Sequence, residues 1–309
     1  MDSKKRSQWK AWLYLLPAII LLVVFTVWPI INTIRMSVLV NYTIAKEMTG
    51  KKLVFGFSNF VKVFRTDGFG QRLGTTMLLT VLTVPISTLL ALLIAVGLNS
   101  IKFVKRIFQT IFFLPYVTNS IAVGMVFMAM FSKLDPLGPG IYGSMGLINN
   151  LIMAFGGKPI NWVNENSSYA ANIAVLTIYI VWNALPFKIL ILLGGLQSVN
   201  KQYYEAAKVD GTSRFRTFWR ITVPLLSPMI AYVVITGFIG GFKEYSSVLG
   251  IFGPHMGPID HEVDTMVGYI VDNISENQGW ASAGALILFA IIFAVTMVNL
   301  YVSKKKVHY

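Results

Sequence analysis

Hydrogen-bonding and aromatic residues interrupt three strongly apolar stretches of the sequence, each time close to a proline or to paired glycines. They are Tyr116, Asn119 and Ser120 after Pro115; Trp182, Asn183 and Phe187 around Pro186; and Lys243, Glu244 and Tyr245 after Gly240 and Gly241. Polar side chains are costly inside apolar segments, so those that occur there commonly mark a pathway for a solute. Their hydroxyl, amide and aromatic groups offer hydrogen bonds and ring stacking to a bound molecule.

Residues that could break bonds or hold a metal are not grouped in this sequence. Cysteine is absent, which excludes thiolate metal sites, cysteine nucleophiles and disulfides. His255, His261 and His308 each lie far from a second ligand at metal-binding spacing. No apolar stretch carries a nucleophile beside a base, which argues against an enzyme embedded in the membrane. We therefore expect no catalytic residue, no metal and no cofactor bound by this chain.

The composition points to a membrane as the solvent. Of 309 residues, 55% are hydrophobic and only 13% are charged, whereas a soluble domain carries about 25% charged residues. The net charge of +13 could suggest a nucleic-acid partner. The Lys and Arg residues are instead spread between apolar blocks, whereas a nucleic-acid binder gathers them on one face or arm. We therefore expect a lipid bilayer and no nucleic acid as partner.

Six apolar blocks are long enough to cross about 30 Å of hydrocarbon, which takes about 20 residues. They are Ala11–Leu39, Thr75–Leu98, Ile107–Phe131, Ala170–Leu196, Ile221–Phe242 and Gly279–Val302. Interior prolines are tolerated in such helices. The first block is too long for a signal-peptide core and is followed by no cleavage site. The sequence thus predicts an all-α integral membrane protein with six transmembrane helices in residues 11–302, flanked by tails 1–10 and 303–309.

The distribution of Lys and Arg favours cytoplasmic N- and C-termini, as in a multi-pass protein of the bacterial cytoplasmic membrane. With this orientation the inner segments hold 15 basic residues and the outer segments 8. The first outer loop is discordant, because it holds six of those eight. Part of it, Asn59 to Arg72, is amphipathic and is expected to lie along the membrane interface. Lys188 falls near the inner end of the fourth block and is expected to reach the water there.

The inner loop before the fifth block, residues 197–220, has the pattern of a helix–turn–helix. Tyr203 to Asp210 contains good helix formers, and Gly211 suits the left-handed position that ends a helix. Thr212 or Ser213 can then cap the helix that runs towards the fifth block.

This loop resembles the signature of permeases in binding-protein-dependent ABC importers. That signature reads Glu-Ala-Ala, three residues, Gly, nine residues, Ile, one residue, Leu, Pro. The chain has Glu205-Ala206-Ala207, Gly211, Ile221 and Pro224, with Val223 where Leu is usual. A Walker A sequence, Gly-x4-Gly-Lys-Ser/Thr, is absent, so ATP must be hydrolysed by another chain.

The wider sequence is similar to the carbohydrate-uptake branch of this family, which includes the maltose-type and glycerol-phosphate-type permeases. The similar segments include Phe113-Leu-Pro-Tyr116, Gly146-Leu-Ile-Asn149 and Gly195-Leu-Gln197, and the resemblance extends from Tyr14 through the sixth block. It implies the type I ABC importer permease fold. It also implies a second homologous permease, two ATPase subunits carrying ATP and Mg, an extracellular solute-binding protein, and a sugar or oligosaccharide substrate.

The resemblance also implies two sets of functional residues. In the family, the inner loop is a coupling helix seated on the ATPase, which assigns coupling to Glu205, Ala206, Ala207, Asp210, Gly211, Ile221 and Pro224. Alignment with the maltose-type relatives places the substrate cavity near Tyr116, Ser120, Asn183, Phe187, Gly241 and Glu244. These residues could instead have purely structural roles: Tyr116 and Ser120 could pack or form hydrogen bonds to the backbone, and Asn183 could form a hydrogen bond between helices.

Two other transport functions compete with a sugar importer. A secondary transporter working alone would carry buried carboxylates or paired broken helices, and Glu244 is a weak candidate for the former. An ABC importer could also carry a different cargo, such as a glycerol phosphodiester or a polyamine.

Overall fold

The structure is a computed structural model that describes residues 2–101, 110, 118–133, 145–257 and 262–306. These residues are helical or irregular. Extended pairing among them is limited to two isolated bridges, Leu39 with Phe55 and Lys133 with Met145. The chain forms two compact units, one of residues 1–69 and 269–289 and the other of residues 70–268 and 290–309.

The first unit begins with one long apolar helix made of three consecutive parts. They are α1 (Asp2–Leu22), a π-helical turn (Val23–Val27) and α2 (Trp28–Ser37). Pro29 accounts for the wide turn, because its ring clashes with the carbonyl four residues earlier. The Trp28 N–H accordingly donates to the Val23 carbonyl, five residues back. Trp12–Ser37 is long and apolar enough to cross a membrane, and most of its side chains are exposed, whereas Ser37 at its end is buried.

The rest of the first unit is fastened by one buried side chain, Asn59. Its segments are α3 (Ile44–Met48), α4 (Ser58–Arg65) and the parts of α14 (Met266–Asn273) and α15 (Gln278–Lys306) that lie within residues 269–289. Asn59 donates to the carbonyls of Ser37 (2.9 Å) and Leu39 (2.7 Å). Gly279 at the start of α15 donates to the Tyr42 carbonyl at 3.1 Å. The end of α2, the start of α15 and α4 are thus held together.

The second unit is built around two long helices and several shorter ones. Its described helices are α5 (Phe69–Ser100), α6 (Ser120–Phe131), α7 (Leu147–Ala154), α8 (Tyr169–Ser198), α9 (Gln202–Val209), α10 (Arg214–Thr217), α11 (Val223–Leu225), α12 (Ser227–Phe242) and α13 (Ser246–Phe252). One core cluster joins α5, α8 and α12, and includes Ala91, Leu192 and Val233. A second joins α6, α8 and α13. In that cluster Trp182 packs against Phe127, with ring centroids 5.4 Å apart.

Helices α6 and α13 touch through two glycines. A Cβ atom added to Gly124 would lie 2.8 Å from the Cα and carbonyl carbon of Gly250. A Cβ atom on Gly250 would lie 2.8 Å from the carbonyl oxygen of Ile121. Small residues allow membrane helices to bring their backbones this close. The closeness of the two helices therefore depends on both glycines.

The predicted all-α fold is confirmed, with one change of shape in the fifth block. Among the residues that the structure describes, four helices are each long and apolar enough to cross a membrane: Trp12–Ser37, Phe69–Ser100, Tyr169–Ser198 and Gln278–Lys304. The predicted fifth block is a bent pair, Arg214–Leu225 and Ser227–Phe242, whose axes differ by 69°. The described end of the third block is helix α6, while residues 107–109 and 111–117 lie outside the described residues.

Candidate solute cavity and coupling segment

A cavity of about 400 Å³ lies inside the second unit, among α5, α8 and α12. Four of the six predicted cavity residues line it: Asn183, Phe187, Gly241 and Glu244. They come from two helices far apart in sequence, so the fold brings together groups that the sequence only places in separate blocks.

Ser120 is connected to the cavity wall through hydrogen bonds, and Tyr116 lies outside the described residues. Ser120 is the first residue of α6, and its carbonyl accepts a hydrogen bond from the Tyr179 hydroxyl at 2.7 Å. The Asn183 side-chain amide in turn donates to that hydroxyl at 3.4 Å. This chain of contacts fixes the start of α6 relative to α8 and leaves the Asn183 amide at the edge of the cavity.

Glu244 follows the end of α12 and is oriented by Ser247 of α13. Its Oε1 atom accepts from the Ser247 hydroxyl at 2.6 Å and from the Ser247 backbone N–H at 3.2 Å. Lys243, its neighbour, is exposed and does not line the cavity. The carboxylate is thus held in the wall of the cavity by two donors on a neighbouring helix.

The prediction that Lys188 reaches water is wrong. This residue is only 4% exposed, and its ammonium lies against α5. It donates to the Ser87 hydroxyl (2.7 Å), the Thr88 hydroxyl (2.9 Å) and the Val84 carbonyl (3.2 Å). Three acceptors match the three donors of an ammonium group. These acceptors on α5 therefore satisfy the hydrogen bonds that water was expected to provide.

Helix α5 contributes cavity residues that sequence reasoning missed, among them Thr83 and Ser87. Each hydroxyl donates to a carbonyl four residues earlier, Thr83 to Leu79 and Ser87 to Thr83. This back-bonding satisfies hydroxyl donors inside an apolar helix and leaves their lone pairs as acceptors. The signal was present in the sequence, because hydroxyl residues recur at positions 76, 80, 83, 87 and 88.

The groups that line the cavity are suited to binding an organic molecule. Its walls present the hydroxyl of Thr236, the amide of Asn183, the ring of Phe187 and two charged groups, set in mostly apolar surroundings. A few well-placed polar groups in a largely apolar wall are typical of pockets that hold an organic solute. Among the described residues, no group of three or more His, Cys, Asp or Glu could hold a metal ion.

The loop between α8 and α12 ends its first helix as predicted. Gly211 has φ of +65°, the left-handed conformation that glycine adopts without strain. Thr212 donates to the Ala207 carbonyl at 2.9 Å and Gly211 to the Lys208 carbonyl at 3.1 Å. These two bonds form a Schellman motif. Ser213 then caps α10 by accepting from the Arg216 N–H.

Beyond α10 the chain makes a second π-helical turn, Phe218–Thr222, which contains the predicted Ile221. The predicted Pro224 follows two residues later, as Pro29 follows the first such turn. The bend of the predicted fifth block falls at Leu226. The hydroxyls of Tyr204 and Thr222 lie 3.3 Å apart, which joins α9 to this turn.

The outer surface of the loop is open and partly apolar. Glu205, Ala206 and Asp210 are exposed, whereas Ala207 is buried. Large apolar side chains also face outward, including Val209 (88% exposed) and Phe215 (75%). Helix α9 thus has small, acidic and apolar groups on its exposed side, while Ala207 packs on its own chain.

Several helices that are long and apolar enough to span a bilayer define a multi-pass membrane protein. Residues 84–308 match the family described as the binding-protein-dependent transport system inner membrane component. The chain belongs to this family, whose members are permease components and not enzymes. The loop signature that suggested this family lies inside the matched region.

Three relatives that are described as sugar permeases match this chain over nearly their full length. The lactose transport system permease protein LacF of Rhizobium radiobacter is 30% identical, over 93% of this chain and 91% of that protein. The arabinooligosaccharides transport system permease protein AraP of Bacillus subtilis is 28% identical, over 98% and 94%. The multiple sugar-binding transport system permease protein MsmF of Streptococcus mutans is 29% identical, over 98% of each.

The fold also matches that of a solved transporter. A chain in the crystal structure of a bacterial alginate ABC transporter, in complex with an alginate pentasaccharide-bound periplasmic protein, superposes with a TM-score of 0.79. The match covers 97% of this chain and 96% of that chain, at 20% sequence identity. At this identity the likeness establishes the fold, which is that of an ABC importer permease.

Proposed function

We propose that this chain is the membrane-spanning subunit of an ATP-driven importer of a sugar or oligosaccharide, and forms one half of a heterodimeric pore. The observation that carries the proposal is the cavity, where Asn183, Phe187 and Glu244 meet the hydroxyls of α5. Hydrogen-bonding groups beside an aromatic ring suit a ligand with many hydroxyls and apolar ring faces. The printed descriptions of LacF, AraP and MsmF support the same class of substrate.

The remaining subunits follow from the family. A second homologous permease completes the pore, two ATPase subunits bind ATP and Mg, and an extracellular solute-binding protein delivers the substrate. The chain lies in the bacterial cytoplasmic membrane with its N- and C-termini in the cytoplasm. Import is directional only when the cavity binds its substrate with different affinity in the outward- and inward-facing states.

The substrate class is tested by transport. The full assembly, reconstituted in liposomes with ATP inside, should take up the saccharide selected by its own binding protein. Asn183→Ala should reduce uptake several-fold without reducing assembly, because the amide no longer meets the solute. Wild-type kinetics of this variant, or uptake that persists on an ion gradient after the ATPase is deleted, would contradict the proposal.

We also propose that residues 197–220 form the coupling segment seated on the ATPase. The exposed Glu205 and Ala206 and the outward apolar side chains of the loop support such a contact. Glu205→Arg should leave membrane insertion normal but separate ATP hydrolysis from uptake, since it reverses a charge at the contact. Lys158→Gln, an exposed change elsewhere, is the control. Unchanged transport by Glu205→Arg would exclude the docking role.

The cysteine-free sequence gives a direct test of orientation. In cells that lack the ATPase, which would otherwise cover this loop, a cysteine at Val209, which is 88% exposed in the isolated chain, should react with an impermeant thiol reagent only from the cytoplasmic side. Labelling from outside in intact cells would reverse the proposed topology.

A further inference from the structure

Helix α4 lies at the level where two apolar helices of the first unit reach the membrane surface. Its Asn59 side chain donates to Ser37, the last residue of the span Trp12–Ser37. Gly279, the second residue of α15, packs against the same Asn59: a Cβ there would lie 2.9 Å from the Asn59 amide nitrogen. Because the ends of two spans contact one side chain of α4, this helix is fixed beside the bilayer boundary.

The face of α4 opposite Asn59 is apolar and, within the part of the chain that the structure describes, largely exposed. Phe57, Val61 and Phe64 are spaced by four and three residues, which places them along one stripe of a helix. They are 72%, 47% and 61% exposed, while Asn59 and Val63 are fully buried. Buried Asn59 and Val63 prevent the helix from rotating to hide this stripe.

Basic residues flank the stripe in the sequence. Lys51, Lys52 and Arg65 are exposed, and residues 46–69 contain five Lys and Arg against two acids. One of those acids, Glu47, is bound by the Arg35 guanidinium at 2.5 Å. The Lys62 ammonium lies 5.3 Å from the centre of the Trp280 ring and donates to the Asn41 side-chain oxygen at 2.5 Å. The segment therefore presents an excess of positive charge beside an aromatic stripe.

We propose that α4 and the preceding residues 51–57 form an interfacial site for anionic phospholipids. The stripe of Phe57, Val61 and Phe64 enters the boundary between headgroups and acyl chains. Lys51, Lys52 and Arg65 then meet the lipid phosphates. This also accounts for the basic excess in a segment where the distribution of charge favours the outer side of the membrane. The site is independent of the transported solute.

The depth of the stripe can be measured because the chain contains no cysteine. A nitroxide is attached to Phe64→Cys in the complete transporter, with the partner subunits made cysteine-free, and the complex is reconstituted in phosphatidylglycerol-containing liposomes. The label should collide with oxygen dissolved in the bilayer and be protected from a water-soluble nickel chelate. A label at Lys158→Cys, on an exposed loop, should show the opposite pattern.

Two outcomes of this measurement overturn the proposal. Access of the nickel chelate to the Phe64→Cys label would place the stripe in water. Protection from both reagents would mean that protein, either the second permease or the binding protein, covers the stripe.

The charge requirement is tested with the variant Lys51→Gln, Lys52→Gln, Arg65→Gln. Native mass spectrometry of the delipidated complex, titrated with phosphatidylglycerol or phosphatidylcholine, should show selective loss of phosphatidylglycerol binding. A basic residue near an anionic surface contributes about 1 kcal/mol, or about fivefold in affinity. The triple variant should therefore lose at least about fivefold, and Lys158→Gln should lose nothing. Equal phosphatidylglycerol binding by the triple variant and the wild type would refute the charge contact.

Discussion

The contact between Gly124 and Gly250 permits a quantitative test of how the cavity region is held. Replacing Gly124 with Ala places a Cβ atom 2.8 Å from two backbone carbons of Gly250. Carbon atoms pack favourably at about 3.5–4.0 Å, so α6 and α13 would have to separate by about 0.7–1.2 Å. Overpacking of this kind costs about 1–3 kcal/mol.

Gly97→Ala is the matched control. Gly97 is in the last turn of helix α5, and a Cβ added there meets nothing within 4 Å. Both variants gain the higher helix propensity of Ala, about 1 kcal/mol. The difference between them therefore isolates the overpacking cost. Thermal unfolding of the two purified complexes in the same detergent should give a midpoint several degrees lower for Gly124→Ala.

The same substitution should also disturb transport. Helix α6 begins with Ser120, which accepts from Tyr179, and α13 carries Ser247, which orients Glu244. Separation of these helices moves both contacts at the cavity wall, so uptake should fall together with stability. Equal midpoints for Gly124→Ala and Gly97→Ala would refute the close backbone contact.

Three further outcomes follow from single contacts. Ser87→Ala should lower the unfolding midpoint more than Lys188→Met. The first variant leaves a buried ammonium without one of its acceptors, whereas the second removes the charge and its need for partners. Equal decreases in the midpoint would contradict this expectation. Gly240→Ala should not lower the midpoint but should slow uptake, since its methyl group meets no protein atom within 4 Å and enters the cavity. Unaltered uptake would show that the solute avoids this wall. The hydrogen bond from Tyr42 lowers the pKa of the Glu47 carboxyl. The ionised carboxylate therefore stabilises the fold above about pH 4.3, and this stabilisation is lost as the pH falls through the lowered pKa. The unfolding midpoints of wild type and Glu47→Gln, measured from pH 7 to 3, should converge at low pH, and a constant difference between them would exclude the linkage.

The sequence was most informative where one residue type dictates one conformation. The left-handed turn at Gly211 and the cap at Ser213 are local consequences of glycine and serine chemistry, and both were predictable. The apolar blocks likewise predicted four of the long helices closely, because length and hydrophobicity alone decide whether a helix can span a bilayer.

The environment of Lys188 could not be read in the same way. Distance along α8 suggested that its long side chain would reach water. The outcome was decided by Ser87 and Thr88, a hundred residues away in sequence, which complete a set of acceptors on α5. A buried ammonium depends on which helices are neighbours, and apolar periodicity does not determine this.

The bend at Leu226 divides the fifth block into two helical arms whose axes differ by 69°. Helix α12 is 16 residues long, an arm of about 24 Å at 1.5 Å per residue. A rotation of only about 5° at the bend would swing the far end of that arm sideways by about 2 Å. Gly241, beside the cavity, lies at that far end. A straight helix would transmit only a push along its axis, whereas a bend at this point would turn a slight rotation near the loop into a lateral shift at the cavity wall.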